Sequence, residues 1–345
     1  MAHSFSGILI RWYQQNKRDL PWRRTKDPYL IWLSEVILQQ TRVDQGLAYY
    51  QRFVHTYPTV KKLAAAREDE VLKLWQGLGY YSRARNLHAA AKQVMKHHNG
   101  RFPDKYSEIR ALKGVGDYTA AAVSSFAFDL PYPVVDGNVY RLLSRYLGIK
   151  TPIQTPAAFR EFTLAAKELM GNSSPHDFNQ AIMEFGALQC TSKPDCRRCP
   201  LSGSCFAFGA GAVDSLPVKI KKAKPKERYF HYYHIIQGET TWLIKRNGKD
   251  IWKNLYEFPM AEGKKQSKNG KQLQVKWLPG GAVFGRRTEF RHQLTHQTIL
   301  AVFHEVTLKD RAKPGLEGLI RITAKEMDKY PIHRLMEKYL EKHRI

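Results

Sequence analysis

Residues 112–138, L-K-G-V-G-D-Y-T-A-A-A-V-S-S-F-A-F-D-L-P-Y-P-V-V-D-G-N, restrict the architecture more than any other stretch of the chain. Gly114 and Gly116 flank Val115 in a turn where glycines take positive φ at little steric cost. Asp117 stands where an N-cap would begin a helix over Tyr118–Phe128. The pattern is therefore a helix, a tight hairpin and a second helix. Such a hairpin turns successive backbone N–H groups and a positive helix end outward, which suits a phosphate. Alone, the tripeptide more often marks an ordinary loop, so its neighbours have to decide. Leu130–Val135 is too rich in proline to continue the helix, and Asp136 opens another with Gly137 and Asn138.

The charge balance narrows the partners. Fifty-six basic against 31 acidic residues leave a net +25 over 345 residues, spread through both halves of the chain. A solvated basic surface is the plain reading, but solubility needs far less, and an excess of this size favours a polyanion, nucleic acid first. The length allows two or three domains, each with its own core. The start, M-A-H-S-F-S-G-I-L-I, lacks the basic stretch and apolar run of a signal peptide, and no segment reaches about 18 uninterrupted apolar residues. The expectation is a soluble, cytoplasmic protein with no membrane partner.

All four cysteines, Cys190, Cys196, Cys199 and Cys205, share one window with the spacing C-x5-C-x2-C-x5-C. A disulfide framework would spread its cysteines to join distant loops, so a metal is the better explanation. Zinc usually takes two close pairs and this run has one, which places an iron–sulfur cluster ahead of zinc without excluding it.

Taken in order, Phe5–Asn16 has Ile8, Leu9 and Trp12 at helical spacing. R-D-L-P-W-R-R follows, and Pro21 forces a turn that presents Trp22, Arg23 and Arg24 from a loop, Trp22 being either a core anchor or one wall of a base pocket. Tyr29–Gln45 reads as one helix, dense in apolar residues, among which Glu35 is conspicuous. The pattern alone puts this carboxylate on the exposed face; burial would instead raise its proton affinity. Gln39, Gln40 and Thr41 are polar at the expected helix end. Helices over Val71–Gln76 and Ala84–His98 are joined by G-L-G-Y-Y-S-R-A-R, which is either punctuation or a wedge that enters DNA. Tyr106–Leu112 leads into the hairpin, Val139–Leu147 extends the helix opened by Asp136, and Ala157–Leu169 and Phe178–Leu188 are again helical.

After the cysteines the composition changes. Residues 206–228 read as a basic linker, and strands are expected at Tyr229–Gln237, Thr240–Lys245, Leu273–Leu278 and Ile299–Leu308, with Lys264–Lys271 a polar loop and Pro331–Glu341 a closing helix. The domains expected are 1–205, all α with a metal loop at 190–205; 206–228, the linker; and 229–345, α+β.

With W-L-S-E-V-I-L-Q-Q-T, W-Q-G-L-G-Y-Y-S-R-A-R-N-L, L-K-G-V-G-D-Y-T-A, V-V-D-G-N-V, N-Q-A-I-M-E-F-G-A-L, the cysteines and N-L-Y-E-F-P assembled, nearly the whole chain resembles the adenine DNA glycosylases of the MutY type, within the helix-hairpin-helix superfamily that includes endonuclease III. The resemblance implies a multidomain protein, an all-α glycosylase domain followed by a Nudix-like α+β domain. It implies a [4Fe–4S] cluster on the four cysteines, a monomer acting on double-stranded DNA and so associated with the nucleoid, and hydrolysis of the glycosidic bond of adenine mispaired with 8-oxoguanine or guanine. It makes Glu35 the acid that protonates the departing adenine, against the exposure expected from the pattern, and Asp136 the carboxylate facing the cationic sugar. Tyr118 and Asn138 buttress that pair; Trp22, Arg23 and Gln180 shape the adenine pocket; Gly114, Val115 and Gly116 carry phosphate; Gln40, Thr41, Leu78 and Tyr80 intrude beside the oxidised guanine. Where lyase-type members carry a lysine two residues beyond the second hairpin glycine, this chain has Tyr118, which implies a monofunctional enzyme leaving an abasic site.

Two departures stand out. The family usually separates its first two cluster cysteines by six residues, here five. Its Phe-Ser-His tip in the C-terminal domain is Leu294-Thr295-His296, where Thr295 keeps a hydroxyl for the oxidised guanine beside His296. Two other classes compete. A Nudix hydrolase needs a glutamate-dense helix for magnesium, and M-A-E-G-K-K-Q-S-K-N-G-K offers lysines in its place; a non-enzymatic DNA-binding protein has no need of Glu35 and Asp136.

Overall fold

The computed structural model of the chain describes residues 4–220, 224–263 and 275–344. Its contacts separate it into two compact units, Met1–Ala64 with Ala89–Lys222, and Ala65–His88 with Ala223–Ile345.

The first unit is helical. Its elements are α1 (Phe5–Asn16), α2 (Pro28–Leu38), α3 (Val43–Thr56), α4 (Val60–Ala65), the later part of α6 (Ser82–His97), α7 (Tyr106–Ala111), α8 (Asp117–Phe128), α9 (Gly137–Leu147), α10 (Pro156–Met170), α11 (Pro175–Leu188) and the short α12 (Phe206–Gly209), while α5 (Glu68–Leu74) belongs to the second unit. The starts share a local logic. Asp27, Thr155 and Ser174 cap α2, α10 and α11 by accepting a backbone N–H, and Pro28, Pro156 and Pro175 follow where a missing N–H costs nothing. Asp136 caps α9 through the N–H groups of Asn138 and Val139. The apolar faces of α1, α9, α10 and α11 meet in a core of Phe5, Leu9, Val139, Leu143, Phe162, Phe178, Ile182 and Phe185. Helix α2 packs on α8, the second helix of the hairpin.

In the second unit the strands are β1 (Lys226–Gln237), β2 (Thr240–Lys245), β3 (Tyr256–Glu257), β4 (Met260–Gly263), β5 (Val283–Gln293), β6 (Gln297–Thr307) and β7 (Leu319–Thr323). They form one mixed sheet in which β1 runs parallel to β6 from Lys226↔Gln297 to Ile236↔Thr307, and antiparallel to β4 and β2 on its other edge. Helix α13 (Arg334–His343) closes one face, with the Tyr339 ring stacked on Phe303 at 4.3 Å and Phe303 within 4.6 Å of Tyr232. Among the described residues no helix is long and apolar enough to cross a membrane.

Several elements depart from expectation. The helix expected over Tyr29–Gln45 ends at Leu38, because Gln40 turns into the left-handed region at φ 56° and the chain restarts as α3. In the hairpin only Gly114 uses positive φ, 76°; Gly116 is extended at φ −93° and is itself the N-cap of α8, so Asp117 is the first helical residue, its carboxylate accepting from Arg110 Nε at 2.7 Å. Trp22 and Arg23 lie on a 3₁₀ turn, Pro21–Arg23. Residues 275–278 form a turn, while 273 and 274 and the loop expected at Lys264–Lys271 fall outside the described residues. The first strand begins three residues before Tyr229, the closing helix starts at Arg334 because His333 caps it, and β3, β4, β5 and β7 were not foreseen. Strand β5, V-F-G-R-R-T-E-F-R-H-Q, is an edge strand with largely exposed, charged side chains, and so lacks a clean apolar alternation.

A close approach to backbone atoms fixes the start of α9. A Cβ built on Gly186 of α11 would lie 2.8 Å from the Asn138 carbonyl oxygen and 3.0 Å from its carbon, both backbone atoms. Gly186→Ala is expected to destabilise the protein by about 1–3 kcal/mol in urea unfolding; an unchanged midpoint would mean that α9 yields freely.

Candidate active site

Glu35 sits on α2 between Ser34 and Val36, all buried, and is 7% exposed. The Tyr118 hydroxyl of α8 donates to its Oε2 at 2.8 Å. Burial pushes the Glu35 carboxyl up to about 7; the Tyr118 hydrogen bond pulls the other way and the nearby Asp136 charge adds to the rise. The exposure expected from the helical pattern is wrong: the polar hydroxyl that satisfies the carboxyl comes from α8, and α2 alone gives no sign of it. Burial also raises Tyr118 well above the ordinary phenol range, so it remains a hydrogen-bond donor.

Asp136 is held by three donors. Its Oδ1 accepts from the backbone N–H groups of Asn138 and Val139 and its Oδ2 from the Asn138 amide, each at 2.8 Å. Burial raises its proton affinity while these donors and Arg141 oppose the rise. Asn138 is fixed in turn, because Arg141 Nη2 donates to its Oδ1 at 2.9 Å, and Arg141 Nε donates to the Cys190 carbonyl at 2.7 Å.

A third group converges from α11. Arg23 Nε donates to Gln180 Oε1 at 3.1 Å, and its two terminal nitrogens donate to Glu184 at 2.9 and 2.7 Å. Arg18 adds a second bidentate pair to Glu184, 3.0 and 2.6 Å. Burial alone would raise the Glu184 carboxyl, but hydrogen bonds from Arg23 and Arg18 overcome it and hold it down at about 2. Trp22 is buried, its ring edge-on to Tyr50 at 5.2 Å. Glu184, Arg18 and Arg141 were missed in the sequence. The spacing of Gln180 and Glu184, i and i+4 on one helix face, was the available signal.

The hairpin presents Gly114 and Gly116 at the surface with Val115 buried beneath them, its N–H donating to the Leu112 carbonyl at 3.0 Å. Gln40 is exposed and Thr41 half-buried on the turn after α2, in the first unit. Leu78, Tyr80, Thr295 and His296 belong to the second unit, where they line one cavity of about 480 Å³. The Tyr80 hydroxyl is hydrogen-bonded to that of Thr295, and Thr295 and His296 are exposed on the β5–β6 turn.

The four cysteines line a single small pocket with Arg145 and Leu201. Arg145 Nη1 lies 3.5 Å from Cys190 Sγ and donates to the Thr191 carbonyl at 2.6 Å. Burial pushes the Cys199 thiol up to about 11 and raises Cys196, so this pocket favours thiolates only against a compensating cation. Among the described residues no three His, Cys, Asp or Glu side chains close on one point as they would around a single ion. Four sulfurs around one pocket are a soft donor set that fits a thiolate-held metal group. In the second unit Glu257 is buried and engaged by Arg246, Tyr232 and His333, and Met260–Gly263 after it is a strand.

Comparison with known proteins adds the following. Residues 33–165 match the HhH-GPD superfamily of base excision DNA repair proteins, and residues 231–342 match the NUDIX domain. An adenine DNA glycosylase of Buchnera aphidicola subsp. Acyrthosiphon pisum is 37% identical over 267 residues, 76% of this chain and 76% of its own. One of Buchnera aphidicola subsp. Schizaphis graminum is 32% identical over 302 residues, 86% of this chain and 85% of its own. A solved thermostable thymine-DNA glycosylase aligns at 30% identity with a TM-score of 0.56, covering 60% of this chain and 95% of its own.

The raised Glu35 carboxyl has a stability consequence. A group that binds its proton more tightly when folded contributes stability that is full below its unfolded value and is lost as pH rises through about 7. Glu35→Gln removes that loss. The variant is therefore expected to gain stability over the wild type on going from pH 5 to pH 8, by roughly 1–3 kcal/mol, read from urea unfolding at both pH values. A gap that does not widen would place the carboxyl in water.

Proposed function

This chain belongs to the adenine DNA glycosylase family, and we propose that it removes adenine mispaired with 8-oxoguanine or guanine from double-stranded DNA, with Glu35 as acid and Asp136 as the charge facing the sugar. The observation that carries this is the contrast between two buried carboxyls. Glu35 accepts from the Tyr118 hydroxyl in an apolar surround that pushes its carboxyl up to about 7; Asp136, also raised by burial, has three N–H donors that oppose the rise and favour its anion.

The division of labour follows from the chemistry. As the glycosidic C–N bond breaks, its electrons leave with adenine, and the Glu35 proton neutralises the base. Positive charge develops on the sugar and Asp136, already oriented by Asn138 and the start of α9, stabilises it without rearrangement. Water then bonds to the sugar carbon and loses a proton, leaving an abasic site. Glycosidases divide the same task between two carboxyls. Gln180 and Arg23, locked through Glu184, shape the base pocket together with Trp22. Gly114, Val115 and Gly116 hold a phosphate, while Gln40, Thr41, Leu78 and Tyr80 enter the duplex and Thr295 and His296 read the oxidised guanine. In sequence order the glycosylase part is taken as 1–205, the linker as 206–228 and the recognition part as 229–345, with Ala65–His88 packed into the sheet unit and β1 already begun at Lys226. Cys190, Cys196, Cys199 and Cys205 would hold a [4Fe–4S] cluster, which when bound cross-links the loop that follows α11.

The test is base release from duplexes with adenine opposite 8-oxoguanine, guanine or thymine, scored as abasic sites revealed by alkali. Glu35→Gln should lower single-turnover release by about 10²–10⁴-fold with DNA binding retained, and Asp136→Asn should be comparably damaging. Strands should stay intact before alkali, and borohydride should trap no enzyme, because the Tyr118 phenol cannot form an imine. Near-normal release by Glu35→Gln would remove the acid from this role. Separately, purified protein should be brown with about four irons per chain; colourless protein holding one zinc would overturn the cluster.

A further inference from the structure

The turn that carries Tyr80 is held in a backbone conformation it would not keep alone. Within four residues, Gly77, Gly79 and Tyr80 have φ of 91°, 77° and 48°, and the last is a bulky residue in the left-handed region. Such strain persists only where surrounding contacts over-determine it. Inside the turn, Trp75 Nε1 donates to the Gly79 carbonyl at 2.9 Å and Gly77 N–H to the Tyr81 hydroxyl at 3.3 Å.

Arg83 adds to these, donating to the Gly79 carbonyl at 3.3 Å, and further restraints come from the strands and the segment before α13. Ile332 is gripped on both backbone groups by the residues flanking the turn: its N–H donates to Gln76 Oε1 at 3.2 Å, and its carbonyl accepts from the Tyr81 hydroxyl at 3.1 Å. Upstream, the Asp69 carboxylate accepts from Lys245 Nζ at 2.6 Å and from the Tyr256 hydroxyl at 3.1 Å. Downstream, Arg85 donates to the Lys253 carbonyl at 2.8 Å. Lys253 lies between Trp252 and Asn254, both with positive φ, in a loop pinned by the Trp252 ring stacked on His333 at 3.8 Å. Tyr80 itself is 44% exposed and faces the cavity shared with Trp252, Thr295 and His296.

We propose that Asp69 and Lys245, with Gln76 and Tyr81 on Ile332, are positioning residues that hold the strained Tyr80 turn at the cavity and thereby set selectivity for the oxidised purine. The inference deepens the proposed function and rests on its assignment of Tyr80, Thr295 and His296 to recognition. Two readouts test it in the full-length protein. Hydrogen exchange of the 77–82 amides should quicken in Lys245→Met and in Asp69→Asn, and return towards wild type in the charge-swapped pair Asp69→Lys/Lys245→Asp. The ratio of single-turnover base release opposite 8-oxoguanine to that opposite guanine should fall roughly three- to thirtyfold in the single variants and recover in the swap, while release at saturating enzyme opposite 8-oxoguanine stays near wild type. Thr295→Ala is the control. Unchanged exchange in both single variants overturns the anchoring. A lowered ratio in Thr295→Ala alone overturns the link from anchoring to selectivity. A ratio unchanged in every variant, Thr295→Ala included, removes the recognition assignment and this inference with it.

Discussion

Keeping a carboxylic acid protonated near neutral pH requires excluding water from it, and most of the helical unit follows from that requirement at Glu35. Desolvation is the largest influence on this group, and it arises because α2 is buried at every position from Ile31 to Ile37. A wholly polar-free site would leave the carboxyl unsatisfied, so one neutral donor is supplied, the Tyr118 hydroxyl, whose own proton is secured by the same burial. With Oε2 accepting from Tyr118, the other oxygen is available to carry the acid proton. The hairpin therefore has two duties: its turn faces outward, and the helix that it starts delivers a phenol inward.

Helix α11 is the element against which the rest is registered. Its Gly186 lets the Asn138 backbone approach to contact distance, its Glu184 clamps Arg18 and Arg23, and its Gln180 receives the Arg23 Nε. The chain leaves its C-terminal end straight into the cysteine loop, where Arg145 of α9 binds three successive residues, Cys190, Thr191 and Ser192. Removing Glu184 would leave the Arg23 guanidinium, 12% exposed, without its carboxylate, a larger loss than that of an exposed ion pair.

Local chemistry was legible where it is self-contained. Asp136 as the cap of α9, the helical first unit and the strand over Thr240–Lys245 could be read from residue types and spacing, because capping and alternation act within a few positions. Glu35 could not be placed that way. Its burial depends on α8, more than 80 residues along, and only the resemblance pointed to it. The break at Gln40 escaped because a left-handed glutamine leaves no compositional mark, and β5 because an edge strand facing solvent need not alternate. The Glu184 clamp pairs residues 166 positions apart, beyond the reach of any periodicity.

The membership of Ala65–His88 in the sheet unit bears on how the chain is made. Tyr81 and Ile332 are 251 residues apart in sequence, and the contacts of Asp69 and Asn254 with their partners span nearly 190. During vectorial synthesis at about 5–20 residues per second, the strained turn at Tyr80 emerges well before the strands that restrain it. Gln76 and Tyr81, on either side of that turn, must wait for the Ile332 backbone groups that bond them until the segment before α13 has left the ribosome. A chain arrested anywhere before Ile332 would lack the backbone groups that bond Gln76 and Tyr81, so an early part of the sequence reaches its finished contacts only when the segment just before α13 has been made.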